Sequence, residues 1–429
     1  MSSSHLDQSE VEKRLGYIYR IDNHPVSSLP QPIITHYLDG LGAALYDVAK
    51  GDGFMRLLFE QWAFSISGDC HSSSYKSDKS AIKSALSLFR VKWKLLRLKY
   101  EFFFDCYYLT EKYNASQLKK LATYFQDIVP YFAKKASKDV DSVFLSETEC
   151  KRIPRALFKH RLANNHWANR KPKKLLVVAN MSAGKSTLIN ALVGYRLNRT
   201  KTTVCTSRIC MLYNNRYNKE GIITHSNQSS FHPEIESTSS DDFTSASLRF
   251  NSSLNDRAIC VIDTPGYNNV DHPEHRKTTE DFIKSNHYDA ILYVADGRYM
   301  GTTDEEILLN YIHLNTQKPI FFAINQLDRM KESEDSIKKI IGDFKSHLKR
   351  MKFNNPIIVP VSAKASLFFK LGKNTLNDDD RFEYDQLSIK FSRNYFDLQA
   401  YISEAESTNP LDATGIHQLE TIINNILHL

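Results

Sequence analysis

The apolar run Leu175-Leu176-Val177-Val178-Ala179 passes without a break into Asn180-Met181-Ser182-Ala183-Gly184-Lys185-Ser186-Thr187. That junction constrains the fold more than any other feature of the chain. A buried strand followed by a short loop and a helix start aims backbone N–H groups at one point, where they can hold phosphates. Gly184 lets the backbone approach closely, Lys185 can reach β- and γ-phosphates, and the Ser186 hydroxyl can bind Mg²⁺. Ala179 stands where the phosphate-loop pattern has its first glycine. The bland alternative, a chance G-K-S at a helix start, leaves the correctly placed strand and helix unexplained.

The rest of the C-terminal part alternates in the same way. Further β-rich runs lie at 207–213, 258–263, 290–296, 319–325 and 356–362. Helical stretches are expected at Ser186–Gly194, Glu274–Ser285, Asp304–Asn315, Asp335–Met351 and Gly415–Leu427. Near-continuous apolar strands alternating with helices predict an α/β fold, a mostly parallel sheet of six or more strands with helices on both faces. Residues 226–247 (Ser/Thr-rich) and 373–410 (acidic in its first half) break the rhythm and read as surface insertions or loops.

Three more motifs follow strands in order. Asp263-Thr264-Pro265-Gly266 ends the third run, where the carboxylate would lie near Mg²⁺ and the Gly266 N–H near a γ-phosphate. Alone it could be an ordinary β-turn. Asn325-Gln326-Leu327-Asp328 ends the fifth run and fits the guanine-reading pattern N/T-K-x-D. A carboxylate at Asp328 accepts from guanine N1–H and the exocyclic amine, a donor pair that adenine lacks. Gln326 replaces the Lys whose stem covers the base, so affinity is expected to fall while specificity survives. Ser362-Ala363-Lys364 follows the sixth run, where a loop can contact guanine O6 through backbone N–H groups. Between the phosphate loop and the second run, Thr206 is the first choice and Thr203 the reserve for a switch threonine with its hydroxyl on Mg²⁺. These motifs call for GTP or GDP as ligand and Mg²⁺ as cofactor.

Order and spacing together resemble the GTPase domain of dynamin-like proteins, especially the bacterial group. The most specific match is Ser182-Ala183-Gly184-Lys185-Ser186-Thr187 leading into Leu188-Ile189-Asn190-Ala191-Leu192. Cys205-Thr206-Ser207-Arg208, Pro360-Val361-Ser362-Ala363-Lys364-Ala365 and Thr414-Gly415-Ile416 add to it. The resemblance covers roughly 172–429. It implies GTP hydrolysis without a Ras-type glutamine after the D-x-x-G, and Tyr267 follows Gly266 here. It implies that Ser182 binds a charge-compensating K⁺ or Na⁺ and helps place the attacking water, beside the roles of Lys185, Thr206 and Gly266. For Ser182 a hydrogen bond within its own loop is the other reading. It further implies a homodimer through the nucleotide face, or a partner dynamin-like protein, and a role in membrane remodelling or in stress or phage defence. The family's long helical stalk does not follow the closing helix in this sequence. A rival is an Era- or TrmE-like GTPase acting on RNA or the ribosome, but no RNA-binding module is recognisable. Another is a slow nucleotide switch that recruits an effector.

Residues 1–170 match no motif. They read as helical, at Thr35–Ala49, Asp78–Asp105 and Asn114–Ala136, with a packed layer built on Trp62, Trp93, Phe102, Phe103, Phe104, Tyr107 and Tyr108. Asn164–Lys174 reads as a linker. Residues 1–174 hold 28 Lys and Arg against 18 Asp and Glu, and the remainder 28 against 31, so the two parts are expected to have different jobs. Residues 76–120 carry 11 of the bases and four acids. Arg90, Lys92, Lys94, Arg97 and Lys99 alternate with Trp93, Leu95, Leu96 and Leu98, which fits a packed helix with solvated lysines, an anionic-membrane surface or, least well, a nucleic-acid patch. No apolar stretch is long enough to span a bilayer, no secretory leader is evident, and six scattered cysteines without a C-x-x-C fit free thiols. A cytoplasmic protein, peripheral to the inner membrane at most, is the expectation.

Overall fold

The computed structural model describes residues 24–91, 97–110, 121–126, 129–130, 155–197, 209–216, 221–225, 228–232, 245–268, 273–330, 336–392, 396–402 and 407–429. They form two units. The first runs to Arg170 and includes Asn227–Pro233; the second holds the rest.

The first unit is helical: α1 (Gln31–Ala49), α2 (Gly53–Ser67), α3 (Lys79–Val91), α4 (Leu98–Thr110) and α5 (Arg155–Ala168), with a short strand at Gln228–His232. Its core is aromatic. Trp62, Phe102, Phe103, Phe104, Tyr107 and Tyr108 are all buried, while Trp93 and most of 114–136 lie outside the described residues. Helices α1 and α3 pack backbone-close, because a Cβ on Gly40 would sit 2.5 Å from that of Ala85. At the centre, Asp105 is fully buried, accepts from the Tyr37 hydroxyl at 2.7 Å and pairs with His24 Nε2 at 3.1 Å. A buried carboxylate survives only with such partners.

The second unit is built on a sheet of β1 (Lys173–Ala179), β2 (Cys210–Asn214), β3 (Gly221–His225), β4 (Ser245–Leu248), β5 (Ile259–Asp263), β6 (Ala290–Asp296), β7 (Ile320–Asn325) and β8 (Ile358–Pro360). Their order is β3-β4-β2-β5-β1-β6-β7-β8. Pairing is parallel except β2 with β5 and β3 with β4. Helices α6 (Lys185–Val193), α7 (Glu274–Ser285), α8 (Thr303–Asn315), α9 (Ile337–Arg350), α10 (Ala363–Leu371), α11 (Asp378–Phe391) and α12 (Ile416–Leu427) complete it. Leu175, Val177 and Ala179 of β1 share a core with Leu188 and Leu192 of α6, Leu367 of α10 and Leu419 and Ile423 of α12. On the opposite face Tyr293 and Phe322 meet, and Phe322 stands edge-on to Phe344 of α9 at 6.0 Å. The mostly parallel sheet covered on both faces is the α/β class that the strand pattern predicts.

Three sequence expectations need correction. Asn164–Lys174 is not a linker throughout: α5 continues to Ala168 and β1 starts at Lys173. The acidic segment at 373–385 is not a loop. Asn377 caps α11 by accepting from the Asp380 N–H, and Asp378, Asp379 and Asp380 fill the first turn, where negative charge favours the helix dipole. The Ser/Thr-rich stretch contains a strand at 228–232 and the start of β4. Serine-rich strands carry no apolar alternation, so periodicity passed over them.

One pair inside the second unit is open to a stability test. Lys370 is buried, its ammonium donates to Glu420 Oε1 and to the Ala191 carbonyl (2.7 Å), and burial pulls its pKa down. Removing one partner of a buried ion pair costs about 3–5 kcal/mol. Glu420→Ala is therefore expected to lower unfolding stability by about that amount, read as a shift in the urea midpoint; a change below 1 kcal/mol would mean that the lysine re-solvates freely.

Candidate nucleotide-binding site

β1 lies between β5 and β6, parallel to both, so the sheet's crevice opens at its carboxyl end. Ligands of open α/β sheets bind at such switch points. Every motif leaves from that edge: 180–184 from β1, Asp263 from β5, Asp296 from β6, Asn325 from β7 and Ser362 just beyond β8.

The phosphate loop has two left-handed residues, Ser182 (φ 68°) and Gly184 (φ 82°). At 184 only glycine fits, since a Cβ there would come within 2.3 Å of Asn325 Nδ2. Asn180 Oδ1 is buried with no hydrogen-bond partner. Met181 is exposed and Ala183 buried, and Ser186 and Thr187 are half-buried in the first turn of α6. Lys185 is almost wholly buried and its ammonium pairs with the fully buried carboxylate of Asp263. The structure thus brings the phosphate-loop lysine and the D-T-P-G aspartate directly together. Thr264 locks that loop by donating to the Val177 carbonyl at 2.9 Å, and the Tyr267 N–H donates to Ala179. Gly266 faces the backbone of Met181. The Tyr267 hydroxyl is spent on Glu280 at 2.6 Å, a carboxylate that also receives Arg276. Burial and that carboxylate push the Tyr267 pKa up, so it remains a neutral phenol.

The base-side motifs are joined to the phosphate loop. Asn325 donates from Nδ2 to the Ala183 carbonyl at 3.0 Å, and its Oδ1 accepts from the Ala363 N–H at 3.0 Å. One buried amide thus ties three loops together. Ser362 caps α10 by accepting from the Ala365 N–H and donates its own proton to Asp328 Oδ1 at 2.7 Å. Gln326, left-handed at φ 64°, donates to the Ser182 carbonyl at 2.6 Å and to Asp296 Oδ2 at 3.0 Å. The Lys364 ammonium turns away to Glu383 of α11. Thr203 and Thr206 lie outside the described residues.

Sequence reasoning missed two contributors. Asp296 takes part through Gln326, and its signal was a carboxylate at the end of an apolar strand. Lys390 of α11 donates to the Asp328 and Met330 carbonyls, both at 2.6 Å, and so fixes the turn that carries Asp328. It is 62 residues from Asp328, and no local pattern announces it.

The donor set suits Mg²⁺. A hydroxyl at Ser186 and a carboxylate at Asp263 are hard oxygen ligands, and Mg²⁺ prefers one or two such groups with phosphates and water to a full protein cage. No cluster of three or more His, Cys, Asp or Glu that could hold a metal occurs among the described residues. None of the described helices is long and apolar enough to cross a membrane.

Comparison with known proteins falls on the same stretch. Residues 175–327 match the dynamin family model. The chain is similar to the probable transmembrane GTPase FZO-like, chloroplastic, of Arabidopsis thaliana, 24% identical over 225 residues, covering 49% of this chain and 21% of that protein. It is also similar to GTPase Era of Haemophilus influenzae, 31% identical over 109 residues, covering 24% of this chain and 32% of Era. A chain from a solved oligomerised bacterial dynamin pair aligns over 91% of this chain and 59% of its own length, at 13% identity and a TM-score of 0.37. The chain thus spans a third or less of the two curated relatives named. The family match begins inside β1 and ends inside the Asn325–Asp328 motif, so the likeness to the dynamin family falls on the stretch that carries the phosphate loop and the first of the base-side motifs.

Proposed function

We propose that the chain binds GTP with Mg²⁺ and hydrolyses it to GDP and phosphate. The observation that carries this reading is Asn325, whose single amide holds the phosphate loop and the Ser362–Lys364 loop at once, so that phosphate and base contacts belong to one rigid frame. Lys185 leaves Asp263 for the β- and γ-phosphates. Ser186, Asp263 and Thr206 would hold the metal, which would neutralise charge on the phosphates. The backbone amides of Asn180 to Thr187 surround the phosphates, and the Gly266 N–H meets the γ-phosphate. Asp328 reads the guanine edge, and the Ser362 hydroxyl, which donates to Oδ1, fixes the orientation of its carboxylate. The attacking water is oriented by Ser182 and backbone groups, since Tyr267 is engaged with Glu280. Phosphoryl transfer needs positioning and charge stabilisation more than a covalent nucleophile. The unpartnered Asn180 Oδ1 and the Ser182 hydroxyl are suitable oxygens for K⁺ or Na⁺.

Ordering of the switch segments then depends on a second copy joined at the nucleotide face, or on a partner dynamin-like protein. The family match supports this reading, and with it a role at an anionic membrane surface, in membrane remodelling or in stress or phage defence. Steady-state phosphate release tests the proposal, with GTP and ATP, in Mg²⁺ with K⁺ or Na⁺, across protein concentrations. GTP-selective turnover that rises per protomer with concentration is expected. Equal use of ATP would overturn the guanine reading; turnover per protomer independent of concentration would overturn the dimer. The identity with Era supports a second reading, a GTPase acting on RNA. Stimulation by ribosomal RNA in the same assay would select it.

A further inference from the structure

Gln326 occupies the place of the base-covering lysine, with a shorter and uncharged side chain. Its side-chain amide is turned onto the phosphate loop at the Ser182 carbonyl (2.6 Å) and onto Asp296 Oδ2 (3.0 Å). Asp296 is the register partner of Asn325 across β6 and β7, so it ends its strand beside the guanine-reading motif. Its carboxylate is gripped by Arg298 in a two-pronged pair, Nε to Oδ1 at 3.0 Å and Nη2 to Oδ2 at 2.7 Å, with the Arg298 N–H adding a third bond to Oδ1 at 3.0 Å. The fork fixes the guanidinium as a plane rather than a free cation. Its carbon lies 4.9 Å from the ring centroid of Tyr299, which is largely exposed, and Arg298 itself keeps 28% of its side chain in solvent. The Asp296 hydrogen bonds, with a smaller contribution from the charge on Asp328, hold the guanidinium pKa above its usual value. Arg298 is thus joined through Asp296 to Gln326, a residue of the Asn325–Asp328 motif.

We propose that Arg298 is the base-covering residue of this site: its guanidinium, set by Asp296, stacks on the purine of the bound guanine nucleotide. The assignment rests on the GTP reading above and adds a residue to it. A guanidinium anchored at its edge and set over Tyr299 on one face has a second face, and bases stack on such planes. The Asp296–Gln326–Ser182 chain carries the frame that a lysine would have tied, and frees the covering role for a neighbouring strand end.

Titration with fluorescent N-methylanthraniloyl-GDP tests this, together with competition by inorganic triphosphate, which has phosphates and no base. Arg298→Ala is expected to weaken the labelled GDP about tenfold, equal to about 1.4 kcal/mol, and to leave triphosphate affinity as in the wild type. Arg298→Lys keeps a positive charge beside Asp296 but loses the plane; it is expected to lose most of the same tenfold. Wild-type GDP affinity in either variant overturns the assignment, as does an equal loss for triphosphate, which would make Arg298 a support of the phosphate loop. A wild-type protein that binds triphosphate but discriminates nothing between GDP and ADP would instead overturn the guanine reading itself.

Discussion

Replacing Lys185 with alanine is expected to abolish GTP turnover and to weaken nucleotide binding strongly. The lysine is buried at the first residue of α6 and, before nucleotide arrives, neutralises Asp263. In the proposed complex both charges would be re-partnered, the ammonium by phosphate and the carboxylate by Mg²⁺. Losing one preorganised charge-stabilising group costs about 10²–10³ in turnover, and the lysine also contributes to ground-state binding, so both Kd and kcat should move. Because Asp263 loses an ion-pair partner, the variant may not be judged on activity alone: a thermal melt of the apo protein separates a folding loss from a site loss. Lys185→Arg keeps the charge beside Asp263 and is expected to preserve the melt while turnover still falls, since a rigid fork does not replace a point charge at phosphates. Wild-type turnover in Lys185→Ala would place the chemistry elsewhere.

Asp328→Asn is expected to move preference from GTP to XTP. The carboxylate accepts two donors from guanine; the amide retains one acceptor and presents N–H where guanine also presents N–H. Hydrogen bonds to a charged group contribute about 1.5–3 kcal/mol each, so GTP affinity should fall about 10²-fold or more, and XTP, with a carbonyl at C2, should gain. The fold should tolerate the change. Ser362 donates to Oδ1, an acceptor that asparagine keeps, and Lys390 holds the backbone carbonyl rather than the side chain. Competition of GTP and XTP against labelled GDP reads the switch directly. An unchanged ratio would mean that base recognition lies elsewhere, and Arg298 would then have to be reconsidered with it.

Local chemistry made some of the site legible in advance. The strand–loop–helix at 175–187 had to bring N–H groups together, because a buried strand and an apolar helix leave the loop one place to be. Asp263, Asn325 and Ser362 each follow an apolar run, and strands of one parallel sheet end on one edge. What escaped was whatever depends on a distant partner. Lys390 reaches the Asp328 carbonyl only because α11 is a helix, and the acidic first turn of that helix carries no apolar periodicity. Asp296 joined the motifs through Gln326, and the Lys364 ammonium is held by Glu383, a residue of that same helix.

The amino-acid sequence by itself determined the α/β class of the second unit and the strand ends at which the 180–187, 263–266, 325–328 and 362–364 motifs stand. Periodicity and strand-end chemistry are properties of neighbours along the chain. Only the tertiary structure decided how the motifs are wired. It paired Lys185 with Asp263, made the Asn325 amide a tie between loops, and turned Gln326 onto the phosphate loop while Arg298 came forward beside it. Those are contacts between residues far apart in sequence, fixed by strand order and register, and no local pattern encodes them.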